Sequence, residues 1–109
     1  ELSKKEAELD SINKSLASKK AELDKAQRGV SKFTEAEKLY ASFKNKSDEF
    51  ITQTNNIIVY LVEFMRTGDT RYLDAAEDAL DAADIIYSQM EKLNVQMNTL
   101  FDEIKAGNY

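Results

Sequence analysis

The chain has no cysteine, no histidine and no proline, and only three glycines among its 109 residues. Without cysteine there are no disulfides, no thiolate nucleophile and no thiolate metal site, and the absence suits cytoplasm, periplasm or exterior equally, so it does not locate the protein. Without histidine the commonest general base and the commonest transition-metal ligand are both missing. The lack of proline and scarcity of glycine leave little to interrupt a helix, and the residues that remain are dominated by the strong helix formers Ala, Leu, Glu, Lys and Gln. An all-α protein is expected. The longest apolar run, IIVYLV at 57–62, is far below the roughly 20 residues a membrane span requires. The first residue is Glu1 rather than Met, which points to a processed protein or an excised fragment. Any signal peptide or anchor, and with it any membrane contact, would then lie in segments outside this chain.

With 32% charged and 42% hydrophobic residues, the composition is too apolar for disorder and too polar for a membrane protein, and the length suits one soluble domain, 1–109. The net charge of -5 opposes a phosphate backbone, and no basic stripe gathers the lysines, so nucleic acid is not an expected partner.

Three helices are legible, at about 1–28, 31–66 and 70–106. The last shows apolar or small residues at Leu73, Ala76, Leu80, Ala83, Tyr87, Met90, Met97, Phe101 and Ile104, the alternating three-and-four spacing of a coiled-coil seam interrupted by Asn94. A second stripe at Tyr72, Ala79, Ile86, Leu93 and Leu100 widens the buried face. The middle helix repeats the spacing in reverse through Phe33, Ala36, Tyr40, Phe43, Ser47, Phe50, Thr54, Ile57, Leu61 and Phe64. Folding the two antiparallel brings Phe64 to Leu73, Ile57 to Leu80, Phe50 to Tyr87 and Ala36 to Phe101, so one register serves the whole length.

The turn between them is FMRTGDTRYL, with Thr67, Gly68 and Asp69 at its centre. Gly68 can adopt the left-handed conformation that ends a helix, Arg66 suits the helix's negative end, and Asp69 or Thr70 can cap the next helix. A tight αα-hairpin is predicted. Near residue 29, two models fit. Lys25, Arg28 and Gly29 resemble a helix stop and Thr34 with Glu37 a capping box, which would let helix 1–28 fold back as a three-helix bundle. Alternatively a lone glycine, costing about 1 kcal/mol, is simply absorbed into one helix from about residue 2 to 66. In either case the 57–62 run needs cover, from the first helix or from a second hairpin in a dimeric four-helix bundle, so Phe50, Ile57, Ile58, Leu61 and Phe64 are the expected interface.

No Ser/His/Asp or Cys/His set, HExxH pattern, glycine-rich phosphate loop or nucleophile elbow is present, and an enzyme is not expected. No cofactor is expected either. Asp74 with Asp78 and Glu77 with Asp81 lie one helical turn apart, but a single helix face cannot wrap a hard cation, and they read as a solvated face rather than a metal site. The alanines between 75 and 83 mark close helix approach more readily than a ligand slot. Ser47, Thr54 and Asn94 interrupt the seams and suit register control. Asn55, Asn56, Tyr60 and Tyr87 are the candidates for contacting a small molecule between helices.

The stretch FMRTGDTRYLDAAEDAL, with Thr67, Gly68, Asp69, Tyr72 and Leu73, resembles the long-helix hairpins of bacterial extracytoplasmic sensor domains, the four-helix-bundle type of chemoreceptors and histidine kinases, over about residues 35–105. The resemblance implies a homodimeric helical bundle outside the cytoplasm that binds a small molecule or an accessory protein and passes on a helix displacement. The other reading is a coiled-coil interaction or scaffold protein, secreted or stalk-like, whose partner is helical protein and which has no small-molecule ligand.

Overall fold

A computed structural model describes residues 2–109 and shows an all-helical chain of two elements, α1 (Leu2–Thr67) and α2 (Arg71–Lys105). The described residues contain no strand. The chain extends over 99 × 15 × 15 Å with a radius of gyration of 27.2 Å, about twice the value expected of a compact domain of this length. The reason is the topology. α2 turns back along α1 as an antiparallel hairpin, and α2 is only long enough to cover the part of α1 that follows about residue 29.

The turn is built as its residues dictate. Gly68 adopts φ +72° and its N–H donates to the Phe64 carbonyl at 2.7 Å, the single bond of a left-handed helix cap. Thr67 Oγ1 donates to the Glu63 carbonyl at 2.7 Å and accepts from the Asp69 N–H at 3.2 Å, which folds the loop onto the helix end. Asp69, not Thr70, supplies the carboxylate that caps α2, accepting from the Arg71 N–H at 3.0 Å. At its far end α2 stops in a Schellman arrangement: Gly107 has φ +71°, its N–H donates to Ile104, and the Asn108 N–H donates to Glu103.

The helix break expected near 29–34 does not occur, and with it the three-helix bundle in which residues 1–28 fold back is ruled out for a single chain; the boundaries 1–28 and 31–66 merge into one element. Gly29 is absent from the glycines with positive φ, so it sits in ordinary helical backbone. Its purpose is steric. A Cβ at this position would lie 2.9 Å from Tyr109 Cε2, so the glycine provides the seat on which the C-terminal aromatic ring lies, with the Lys25 ammonium 5.7 Å above that ring. Thr34 does not cap a helix either; its hydroxyl donates back to the Val30 carbonyl at 3.0 Å, as a threonine inside a helix does.

The predicted antiparallel register is correct and the predicted face is rotated by about one residue. Phe50 meets Tyr87 with ring centroids 6.1 Å apart. Ala36, Phe43, Phe50, Ile57 and Phe64 form one row of the α1 seam as expected, but the accompanying row is Lys32, Leu39, Lys46, Gln53 and Tyr60, whereas Phe33, Tyr40, Thr54 and Leu61 are exposed. On α2 the stripe expected to be secondary, Tyr72, Ala79, Ile86, Leu93 and Leu100, faces α1 together with Ala76, Ala83, Met90, Met97 and Ile104, leaving Leu73, Leu80, Tyr87 and Phe101 at the edge. The physical cause is side-chain size. The buried residues among those described are Ala36, Ala76, Ala79, Ala83, Met97 and Leu100, so the helices press small surfaces together and approach closely at the alanines, while bulky rows are displaced sideways. The stems of Lys32 and Lys46 flank the seam; the Lys32 ammonium reaches across to pair with Glu103, and that of Lys46 pairs with Glu49 on its own helix.

Candidate functional site

The four residues proposed to contact a small molecule are not brought together. Asn56 and Tyr60 line a shallow groove of about 260 Å³ between the helices, with Gln53, Ala75, Asp78 and Ala79. Asn55 is exposed on the back of α1, and Tyr87 lies half exposed at the opposite edge of the hairpin against Phe50. The acidic stretch of α2 behaves as a solvated surface, and no group of three or more candidate metal-binding side chains occurs among the described residues.

The electrostatic perturbations cluster at the hairpin tip. The Arg66 guanidinium donates to Glu63 Oε2 at 2.6 Å and holds that carboxyl below its ordinary range, while Glu63 raises the guanidinium in return. Arg71 does the same to Asp69, first through its side chain at 2.7 Å and then through its backbone N–H. Both pairs are solvent-facing and fasten the turn. Neither sits in a cleft where a shifted proton affinity could serve acid–base chemistry.

The two edges of the hairpin differ in character. One is mixed at its open end, where Lys32, Glu35, Gln96, Thr99 and Glu103 surround a groove together with Leu39, Val95 and Leu100, and polar nearer the tip, where Gln53, Asn56 and Asp78 lie. The other is mainly apolar: Phe33, Ala36, Tyr40 and Phe101, with Glu37 as the one charged member, line a groove of about 290 Å³, and Leu61, Leu73, Leu80 and Tyr87 continue the same edge toward the turn. Of the expected interface residues, Phe50, Ile57 and Phe64 are half-buried within the hairpin itself, whereas Ile58 (56% exposed) and Leu61 (41%) lie on this open edge. Ile51 and Met65 extend it along α1.

The portion of α1 before residue 29 has no neighbour in the chain, and its side chains are exposed throughout. Its apolar residues nevertheless follow a strict pattern. Leu2, Leu9, Leu16, Leu23 and Val30 recur every seventh residue, with Ile12, Ala26 and Phe33 in the intervening heptad position. Continued along the helix, the first row passes through Glu37 and Lys44 to Ile51, Ile58 and Met65, and the second, which also holds Lys5 and Lys19, passes to Tyr40, Ser47, Thr54 and Leu61. These are the positions of the open edge. α1 therefore carries two seams, roughly 100° apart around its axis, one filled by α2 and one left open, with Glu37 and Lys44 interrupting the open one at mid-length. Reading only the single best stripe in each segment hid this second seam; counting heptads without a break across residue 29 reveals it.

No family model, curated protein or solved structure matches this chain at a significant level.

Proposed function

We propose that the chain is a non-catalytic helical interaction module that acts by packing helices of a protein partner against its open seam, completing a bundle. The observation that carries this reading is the unfilled seam. Leu16 at 61% exposure, Ile58 at 56% and Met65 at 83% belong to one heptad row of exposed apolar residues, crossed by Glu37 and Lys44 between Val30 and Ile51, and exposed apolar surface arrayed in this way marks protein contact. The seam geometry specifies the partner's form, since heptad rows on a straight helix accept another helix and little else. A photo-crosslinking amino acid placed at Ile58 or at Leu16 in producing cells should yield protein adducts, and one at Asp78 on the polar edge should not. Equal labelling from both edges would refute the reading.

A second reading, a sensor module of the extracytoplasmic bundle type, draws support from the layer of alanines at 76, 79 and 83. Shallow layers of this kind let packed helices slide by small steps, a known mode of switching. Its ligand would sit in the groove beside Asn56 and Tyr60. Thermal melting against amino acids and organic acids tests it, because a ligand at 100 times its Kd adds about 2.7 kcal/mol. A flat response across the panel, with Asn56→Ala indistinguishable from the parent, would remove this reading and leave the first intact.

A further inference from the structure

Resting on the reading of the chain as a helix-association module, we propose that the helix filling the open seam is α1 of a second copy of this chain, running antiparallel, so that each copy's N-terminal arm covers the other's hairpin edge. The fold sets up the requirement. The arm carries the apolar stripe of a third bundle helix, yet α1 passes through Gly29 without a bend, so the arm cannot reach its own hairpin. Only another molecule can present an arm to that edge.

Charge along the seam selects the orientation. In a parallel, in-register pair, Lys5, Lys19, Glu37 and Lys44 would each face their own counterpart, placing like charges at four layers. Antiparallel pairing alternates the two heptad rows instead. The register that sets Leu2 against Leu61 of the second copy opposes Lys19 to Lys44. Sliding by one heptad removes the conflict: Leu9 meets Leu61, Ile12 meets Ile58, Lys19 meets Ile51, Leu23 meets Ser47 and Val30 meets Tyr40. Aliphatic residues then face each other at Leu9–Leu61 and Ile12–Ile58 and a small one faces a large one at Leu23–Ser47, and a lysine facing isoleucine can lay its stem along it and keep the ammonium wet. A further heptad would set Leu9 opposite Gly68 at the hairpin tip and carry Leu2 past it, leaving both without a partner on α1.

Flanking positions favour the same register. Lys20 comes within two residues, about 3 Å along the axis, of Asp48 of the second copy, and Asn13 equally near Asn55, giving an opposite-charge pair and an amide pair beside the seam. The arm also approaches the acidic part of α2, where the stretch between Arg71 and Lys92 carries six carboxylates and no cation. Lys19, level with Ile51, comes beside Asp84 there. The rows Leu73, Leu80 and Tyr87, left bare by the hairpin, border the arm's path and would be covered by it.

The full chain, which has no native cysteine, allows a direct test. Sedimentation should give twice 12.4 kDa. The double variant Ile12→Cys with Ile58→Cys should form a covalent dimer on mild oxidation, and Ile12→Cys alone should not; within one chain these positions are roughly 70 Å apart, so an internal bridge is impossible. Lys20→Asp should weaken the dimer several-fold and Asp48→Lys in the same chain should restore it, which no loss of folding would mimic. A monomer at tens of micromolar overturns the second copy as occupant while leaving association with another helical protein to the photo-crosslinking test. A dimer in which Ile12→Cys alone cross-links overturns the antiparallel arrangement.

Discussion

Replacing Gly29 with alanine distinguishes a continuous α1 from a broken one by the sign of the effect. In a helix interior, glycine is about 0.8–1.0 kcal/mol less favourable than alanine, so the substitution should stabilise the helix by roughly that amount. At a helix stop requiring a left-handed residue it should instead cost about 1–2 kcal/mol. The structure adds an opposing contact, because the new Cβ would lie 2.9 Å from Tyr109 Cε2. That ring belongs to the last residue and can swing away, giving up its packing and the approach of Lys25, worth about 0.5–1 kcal/mol at an exposed site. In the parent the two effects should nearly cancel. In a Tyr109→Ala background only the helix term remains, and Gly29→Ala should stabilise by about 1 kcal/mol. Amide hydrogen exchange across residues 20–35, with thermal melts of all four proteins in the cycle, reads both quantities. Destabilisation by Gly29→Ala when Tyr109 is already absent would show that the helix does not run through, and the unfilled seam would lose its continuity.

Other consequences are more local. Gly68→Ala meets no steric obstacle, since nothing lies within 4 Å of the added carbon, so its cost should be the backbone strain of φ +72° alone, about 1–2 kcal/mol, with Gly68→Asn costing less. A Tm unchanged within error for Gly68→Ala would contradict the left-handed cap. Ala83→Leu forces bulk into the closest approach of the helices and should cost about 1–3 kcal/mol, while Leu80→Ala one turn away on the open edge should cost far less in a monomer; equal losses in denaturant titrations would argue against the rotated seam. Glu63 and Asp69 have carboxyl pKa values depressed by Arg66 and Arg71, so their contribution is complete above the ordinary carboxylate range and is lost as pH falls through the lowered folded values. Arg66→Ala and Arg71→Ala should therefore flatten the acid limb of the stability–pH curve and leave neutral-to-alkaline behaviour unaltered in shape.

The residues announce some features of this fold and conceal others, for identifiable reasons. The hairpin was legible because Gly68 and Asp69 have local requirements that few sequences meet by accident, and because Phe50 and Tyr87 sit equally far along mirrored seams. The face turned inward was not, because a stripe of large residues such as Leu73, Leu80 and Tyr87 gives a stronger periodic signal than the alanines that pack closest. Gly29 misled for a related reason. Its partner, Tyr109, is distant in sequence, and a glycine that clears space for a distant ring is locally indistinguishable from one that ends a helix. The ligand candidates Asn55, Asn56, Tyr60 and Tyr87 were grouped by chemical type, but on a helix adjacent numbers point about 100° apart, which separates Asn55 from Asn56. Only Asn56 and Tyr60 share a groove.

A helix with two seams has a property that neither seam has alone. The α2 seam is short, alanine-rich and partly flanked by lysine stems, so within one chain it buries few large side chains: among the described residues Met97 and Leu100 are the large ones that are buried, and neither completely. Fully burying a large apolar side chain contributes about 1.5–3 kcal/mol, so the hairpin forgoes most of what its own leucines, isoleucines and aromatics could contribute. The side chains withheld from that interface are the ones arrayed along the second seam. A sequence selected only to fold as a hairpin would gain by turning Leu73, Leu80, Tyr87 and Leu61 inward and its alanines out. That it does the reverse over the first part of α2, with Ala76, Ala79 and Ala83 inward and Leu73 and Leu80 at the edge, is what the proposed assembly accounts for: a partner on the open seam would cover those side chains, and the chain's stability would then rise with that partner's concentration.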